Sequence, residues 1–518
     1  MEEQKIVHSL TKIVATLGPS SEDDATIRKL IKAGMSVARI NCSHGNWEER
    51  TERINAVRRI AMEEQRAVGI LVDLQGPKIR TGTLPDGGVP IEEDEKIILT
   101  TVEDDANYES TPKIVFIRNY PERPTDVSKG QRILLDDGLL RMRVDNISGT
   151  QVECSVIFGG ILKSNKGVNL PESRQLNVQA LTPKDREDLK EGVKIGADYI
   201  ALSFVRQAAD IVELRSLIDE SKEEYEQTTP IKTIAKIEKP QALDCLDDII
   251  DVVDAVMVAR GDLGVELDPE KVPLAQKEII NKANHKKKIV ITATQMMDSM
   301  INNPFPTRAE VSDVANAILD GTDAVMLSGE TAAGKYPVEA VNQMRKVALE
   351  VESSGQIHVE RLDLETVSGL TFKEIDNLAI AQAVYDFAQM KHVRSIVAFS
   401  CSGYSVRLIS KLRPKARIIA ATTYQHTYNH LSLVWGVTPV FFNKVEHTNK
   451  TFLNIENFMI DQGFVQPGET IVLTGGLPIS ARSSANFVKL HSCDGSIKDL
   501  MTVTQDQVAK DLGPMLAV

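Results

Sequence analysis

The sequence predicts an α/β protein: a (β/α)8 TIM barrel with an inserted β-rich lid domain, followed by a C-terminal doubly wound α/β domain. Three observations lead there. Eight short apolar runs alternate with stretches of helix length; about a hundred residues after the third run change texture; and a second series of apolar runs begins beyond residue 351. The eight runs are KIVATL (12–17), VARIN (37–41), ILVDL (70–74), YIALSFV (199–205), TIAKIE (233–238), AVMVARGD (255–262), IVITAT (289–294) and AVMLSGE (324–330). Short runs without polar alternation are expected of parallel strands covered by helices on both faces. An open doubly wound sheet also accommodates eight strands, but eight strand–helix units are the count of a closed barrel.

Helix signals lie between most of these runs. Ser21 precedes EDDATIRKLIKAG, with Asp24 in the capping-box position and Gly34 as the stop. Thr182-Pro183 opens TPKDREDLKEGVKIG, with Asp185 completing the box and Gly196 at the end. Between ILVDLQGPKIRTG and ALTPKDRED, the segments EKIILTT, QRILLDDGLLRMRVD and QVECSVIF read as antiparallel strands separated by Gly and Pro. An insert after the third barrel strand is placed to close over the barrel mouth. The polar stretch ESSGQIHVERLDLETVSG reads as a connection to a second unit with strands SIVAFS, RIIAATT, TPVFF and TIVLTG, four or five strands in all. The expected division is barrel 1–77 and 179–350, lid 78–178 and C-terminal domain 365–518.

Composition excludes several classes. The 518 residues are 42% hydrophobic and 26% charged, ordinary for a soluble globular chain. Sixty Lys+Arg against 73 Asp+Glu give a net charge of −13, which argues against nucleic acid as the main partner. The five cysteines are scattered without CxxC spacing, as in a reduced cytoplasmic protein. The start MEEQKIVHSL lacks the basic and apolar regions of a signal peptide, and no run is long enough to span a membrane. Trp47 and Trp435 read as packing groups, the KKK at 286–288 as a solvated helix end, and His8, His285 and His358 as surface residues.

Function in a barrel sits at the carboxyl ends of its strands. There the sequence places Arg39 and Asn41, Asp73, Ser203, Lys236 and Glu238, Arg260 and Asp262, Thr294, and Ser328 with Glu330. Any one of these has an ordinary structural reading; the set together marks a site. Glu238 and Asp262 are hard oxygen ligands, and with substrate oxygens they suit octahedral Mg2+ or Mn2+ rather than zinc. Lys236 shares the strand face of Glu238, two residues away. Metal, lysine and arginine converging on one point suit a transferring phosphoryl group, whose charge must be spread. A Schiff-base role for Lys236 is the rival, disfavoured because flanking carboxylates would hold it protonated.

At these residues the sequence resembles the pyruvate kinases over nearly its whole length. The likeness is carried by KIVATLGPSS, GMSVARINCSHG, GPKIRTG, IAKIEKPQAL, VMVARGDLGVEL, the long block from TATQMMDSM to ETAAGKYPVEAV, and SCSGYS. The resemblance implies phosphoryl transfer from phosphoenolpyruvate to ADP, giving pyruvate and ATP at the end of glycolysis. It implies that Glu238 and Asp262 hold the divalent metal, that Lys236 lies on the transferring group and that Arg39 grips the phosphate. Gly261 with Asp262 would meet the substrate carboxylate, and Thr294 would stand near the proton path to the enolate. Arg80 would support nucleotide phosphates or the hinge, with His44 and Asn41 near the nucleotide. Asn41, Ser43, Asp73 and Leu74 match the family's monovalent-cation region. A homotetramer is implied as well.

Two departures from the family pattern stand out. Lys78 occupies the GPKIR position where many members carry an acidic residue and need K+; its ammonium is expected to replace K+ beside Asp73 and Glu238. In SCSGYS, Ser400, Ser402, Gly403 and Ser405 keep the capacity to hold a phosphate at a helix start. Cys401 and Tyr404 stand where some effector-responsive members have basic residues, so a sugar monophosphate or nucleotide effector is as compatible as a bisphosphate, and a loop without an effector stays open. Two other readings remain at this point: a metal-dependent lyase acting through pyruvate enolate, and a catalytically silent paralogue.

Overall fold

The computed structural model describes residues 9–118, 126–173, 179–357, 371–442, 448–477 and 484–494. His8, His358 and most of the connection before the C-terminal domain lie outside them. Eight parallel strands close a barrel in sequence order: β1 (Lys12–Thr16), β2 (Met35–Asn41), β3 (Gly69–Asp73), β4 (Tyr199–Leu202), β5 (Lys232–Ile237), β6 (Ala255–Ala259), β7 (Ile289–Ala293) and β8 (Ala324–Leu327). The open-sheet alternative is thereby removed.

The alternation of strand side chains explains both core and site. Val14, Val37, Leu71, Tyr199, Ala201, Ile234, Met257, Ile291 and Met326 fill the barrel and belong to one buried cluster that continues into the C-terminal domain. Their neighbours Ile13, Ala38, Ile70, Ile200, Ala235, Val256, Val290 and Val325 pack instead in two clusters with the surrounding helices. Continuing each inward file by two or four residues gives Thr16, Arg39 and Asn41, Asp73, Ser203, and Lys236 with Glu238. The site therefore crowns the same rows whose lower members fill the barrel. Each fully buried Leu or Ile in these rows contributes about 2 kcal/mol.

Several elements are shorter than the sequence suggests. β6 ends at Ala259 and β8 at Leu327, and helices Arg260–Glu266 and Gly329–Ala332 follow at once. Arg260, Asp262 and Glu330 thus lie on the first turns of helices rather than on strands. The helix expected to start at Ser21 starts behind Asp23, whose carboxylate accepts from Thr26 N at 3.0 Å. Ser21 is unavailable as a cap because its buried hydroxyl accepts from Gly18 N at 3.1 Å. The second expectation is met: Thr182 and Asp185 form a reciprocal capping box with Pro183 at the first turn.

The insert leaves the barrel after β3 and has its own core. Its seven-stranded sheet is mixed, not wholly antiparallel, since Lys96–Thr100 pairs in parallel with Lys113–Arg118. The C-terminal domain is a five-stranded sheet with four parallel strands, Val393–Phe399, Arg417–Thr422, Val437–Phe441 and Thr470–Gly475. Phe487–Ser492 adds an antiparallel edge strand. Cys42, Cys154, Cys245 and Cys493 are free thiols. Trp435 is buried under the Arg413 guanidinium, 4.6 Å from the ring centre, and the Trp47 indole N–H donates to Asp188 at 2.7 Å.

The seam between barrel and C-terminal domain holds two buried lysines. Lys12 donates to Val437 O at 2.6 Å, and Lys411 sits 2.5 Å from Asp323. Burial, with Arg417 nearby, pushes Lys12 down to about 7, and burial pushes Lys411 down to about 8 against the pull of Asp323. The unfolded chain keeps both near 10.5. Between those values the unfolded state binds more protons than the folded one, so stability rises with pH. We expect the urea midpoint to climb from pH 7 towards pH 10, each group contributing up to about 1.4 kcal/mol per pH unit. Lys12→Met is expected to raise stability at pH 7 and flatten the slope; a profile that is flat or falls in the wild type would refute the assignment.

Candidate active site

The Lys236 ammonium is the centre of the barrel mouth. It lies 2.6 Å from Ser203 Oγ, 3.0 Å from Glu238 Oε1 and 3.3 Å from Asp73 Oδ1. Burial alone would lower its pKa, but Asp73 and Glu238 outweigh burial and hold it above the ordinary lysine value. It is a fixed cation, unsuited to forming a Schiff base. Asp73, although buried, is held below the usual carboxylate range by Lys236 and Arg39. Arg39 Nε lies 2.7 Å from Asp73 Oδ2, and its Nη1 donates to Thr16 Oγ1 at 2.9 Å.

Glu238 behaves differently. Its Oε2 accepts from Phe204 N at 2.6 Å, yet burial, reinforced by the charge of Asp262, raises its pKa despite Lys236. Each of the two carboxylates already faces one ammonium, and the burial left uncompensated at Glu238 is what a divalent cation would relieve. Among the described residues no three His, Cys, Asp or Glu side chains gather as a metal site. Glu238 and Asp262 are the residues here that could hold such an ion, with substrate and water oxygens completing an octahedron.

Lys78 reaches the site from the lid side, but its partner is not the one expected. Its Nζ lies 3.0 Å from Asp262 Oδ1, while Asp73 and Glu238 are engaged by Arg39 and Lys236. The lid is tied down nearby: buried Glu266 takes a hydrogen bond from Asn169 Nδ2 at 2.7 Å and pairs with Lys239.

Arg260 and Thr294 shape the third side. Arg260 Nη2 donates to Thr294 O at 2.9 Å, and Nη1 to Asp313 Oδ1 at 2.7 Å. Thr294 and Gln295 have φ of 68° and 54°, so the guanidinium clamps a left-handed turn. Arg260 is consequently a positioning group rather than a cation aimed into the mouth. Thr294 Oγ1 accepts from Gly261 N at 2.7 Å. A Cβ on Gly261 would lie 3.2 Å from that oxygen, so glycine permits the close approach.

The remaining expected residues are more scattered. Arg50, buried, donates to the carbonyls of Cys42, His44 and Gly45 and so fixes the loop bearing Ser43 and His44. Asn41 Oδ1 accepts from Ser43 N at 3.1 Å. Leu74 O accepts from Ser203 Oγ at 2.7 Å. Arg80 stands on the first strand of the lid, its Nη1 donating to Asn165 O at 2.9 Å, a hinge position. Ser400, Ser402, Gly403 and Ser405 lie in the C-terminal domain, apart from this site. Ser400 Oγ accepts from Gly403 N at 2.9 Å, and Gly403, at φ 76°, begins the helix Tyr404–Lys411.

Comparison with known proteins accords with this geometry. The family model described as pyruvate kinase, barrel domain, matches residues 8–341, and that for the pyruvate kinase alpha/beta domain matches 378–491. The chain belongs to the pyruvate kinase family. Pyruvate kinase of Staphylococcus aureus strain USA300 is 42% identical over 483 residues, which are 93% of this chain and 80% of that protein. The enzyme of the bovine strain RF122 of the same species matches to the same extent. The crystal structure of a pyruvate kinase from Cryptosporidium parvum superposes with a TM-score of 0.83 at 34% identity, covering 94% of this chain and 96% of that one. As a pyruvate kinase the chain is a phosphotransferase, and the family implies phosphoenolpyruvate and ADP as substrates. Among the described residues, no helix of this pyruvate kinase is long and apolar enough to cross a membrane.

Proposed function

We propose that this pyruvate kinase works with Mg2+ or Mn2+ held by Glu238 and Asp262 and needs no K+. The observation that carries the proposal is the charge arrangement: Lys236 is locked between Asp73 and Glu238, while Lys78 brings a second ammonium to Asp262. The divalent ion would supply charge neutralisation at the phosphoryl and carboxylate oxygens of phosphoenolpyruvate. In the reaction, the bond from phosphorus to the enol oxygen breaks and one to the terminal phosphate oxygen of ADP forms. Lys236 and Arg39 spread the charge on the three equatorial oxygens. The enolate left behind takes one proton at its methylene carbon on the side of Thr294. Gly261 and Asp262 would lie against the carboxylate, and Arg80 with His44 and Asn41 would steady the nucleotide.

In this proposal Lys78 stands in for a bound monovalent cation as a tethered charge of similar size, acting from Asp262 rather than from Asp73. We expect full ATP formation in a K+-free and NH4+-free buffer containing Mg2+, and loss of activity with chelator. Lys78→Glu should then create a K+ requirement. Activity of the wild type that appears only after K+ is added would overturn the role of Lys78 and leave the family assignment untouched.

The same proposal extends to regulation and assembly. Ser400 and Ser402 accept from backbone N–H groups and keep their own O–H to donate, which suits the phosphate of a sugar-phosphate or nucleotide effector. Phe372, 89% exposed, and Leu490, 39% exposed, lie on the outer helix and edge strand of the C-terminal domain, in keeping with a homotetramer. The reduced cysteines and acidic charge suit a cytoplasmic enzyme.

A further inference from the structure

The helix Arg260–Glu266 carries Gly261 and Asp262 on its first turn and Glu266 at its end. Residues four apart share a helix face, so Asp262 and Glu266 lie on one side. The lid runs along this helix. Lys78 Nζ lies 3.0 Å from Asp262 Oδ1, and Asn169 Nδ2 donates to Glu266 Oε1 at 2.7 Å. Between them Gly138 comes against Val265, whose Cγ1 is 3.8 Å from where a Cβ on the glycine would stand. Just past the helix end, Arg132 Nη1 of the lid lies 3.5 Å from Asp268 Oδ1. Glu266 also pairs with Lys239, the residue after Glu238. The Lys239 ammonium lies 5.7 Å from the centre of the Phe204 ring, and Phe204 N donates to Glu238 Oε2 at 2.6 Å. One buried carboxylate therefore touches the lid, the chain just beyond β5 that bears Glu238, and the helix that bears Asp262.

As a stabilising device this cluster is poorly made. Glu266 Oε2 and Asn169 Oδ1 are buried without a hydrogen-bond partner among the described residues. A buried ion pair seldom stabilises a fold more than apolar groups of the same size would. Its worth lies in geometry. We propose that Glu266 is a positioning residue for the phosphoryl transfer, holding Gly261 and Asp262 in register with Glu238 and tying that register to the seated lid. The proposal rests on the reading of Glu238 and Asp262 as the residues that would hold the divalent ion. Glu266 touches no reacting atom; it acts through its helix, whose displacement would carry Gly261 and the Asp262 carboxylate together. Arg80, His44 and Asn41, on the nucleotide side, are not attached to that helix, so ADP should feel the change far less than phosphoenolpyruvate.

The test measures Mn2+ binding to the full chain by electron paramagnetic resonance, beside steady-state kinetics. Glu266→Ala is expected to weaken Mn2+ binding and to raise KM for phosphoenolpyruvate, each by about ten- to hundredfold, the cost of removing a group that orients a metal ligand. KM for ADP should move far less. Glu266→Gln keeps an oxygen for Asn169 Nδ2 and should regain most of both losses. Asn169→Ala, on the lid, should show the same split at smaller size, and it keeps the proposal testable if Glu266→Ala does not fold. Wild-type Mn2+ binding and KM in folded Glu266→Ala and Asn169→Ala would overturn the proposal. So would KM values for both substrates that rise equally, in step with a falling urea midpoint. Asp262→Asn is run alongside: intact Mn2+ binding there would overturn the metal reading itself, whereas loss there with the Glu266 variants unaffected would remove the positioning role alone.

Discussion

Replacing Lys236 by Met is expected to lower kcat by roughly 10²- to 10³-fold, the scale seen when one preorganised charge-stabilising donor is removed from a closed site. The ammonium is buried and fixed by three oxygens, so it does not have to reorganise when charge moves onto the transferring phosphoryl group. KM for phosphoenolpyruvate should change far less, because the interaction strengthens in the transition state rather than in the ground state. The side chain also neutralises Asp73 and Glu238, so the variant must be checked for folding by its urea midpoint. A folded variant that loses affinity but keeps kcat would reduce Lys236 to a binding group. The isosteric control is Ser203→Ala, which removes one acceptor from the ammonium and should cost about tenfold or less.

Lys236 was legible because its chemistry lies on one strand with Glu238, and the same holds for Arg39 with Asn41 and for Asp73. Period-two alternation carries each inward file up to the mouth, so locating the strands located those residues. Thr16 could have been found the same way, as the residue two beyond Val14 on β1, yet a threonine in an apolar run carries little signal. Arg260 was legible as a cationic or orienting group at a strand end, but its setting was not. The run AVMVARGD reads as one strand, and only the folded chain shows the turn into a helix at Arg260 that sends the guanidinium to Asp313 and the Thr294 turn.

Contacts across domains were not legible at all. Lys78 and Asp262 are 184 residues apart, and Asn169 and Glu266 are 97 apart; nothing local marks either pair. The partner of Lys78 is set by how the lid sits on the barrel, which is decided by packing at the hinge. The parallel strand pair inside the lid escaped for a related reason. Alternation identifies a half-buried strand but is blind to the direction of its neighbour. The edge strand Phe487–Ser492 mixes exposed, half-buried and buried positions without a continuous apolar run and so lacks the signal of the other four.

The second large effect concerns the charged seam beneath the barrel. Asp323→Ala is expected to cost about 3–5 kcal/mol of stability, the range for removing one partner from a buried ion pair. Asp323 is 1% exposed and serves Lys411, Arg413 and the backbone N–H of Val290 together. Its loss strands two buried cations and one amide at the junction of two domains. Asp323→Asn keeps a group for the Val290 N–H but not the charge, so it should fall between alanine and wild type. The double variant Asp323→Asn with Lys411→Met should recover part of the loss, because the cation it removes is the one left without a counter-charge. The cost of Asp323→Ala should also shrink above about pH 8, where Lys411 deprotonates. These three readings separate electrostatics from packing: a cavity effect would be insensitive to pH and would not be rescued at Lys411. If charge dominates, the apolar cluster shared by the two domains is supplemented by a buried charge balance at Asp323 that pH can shift.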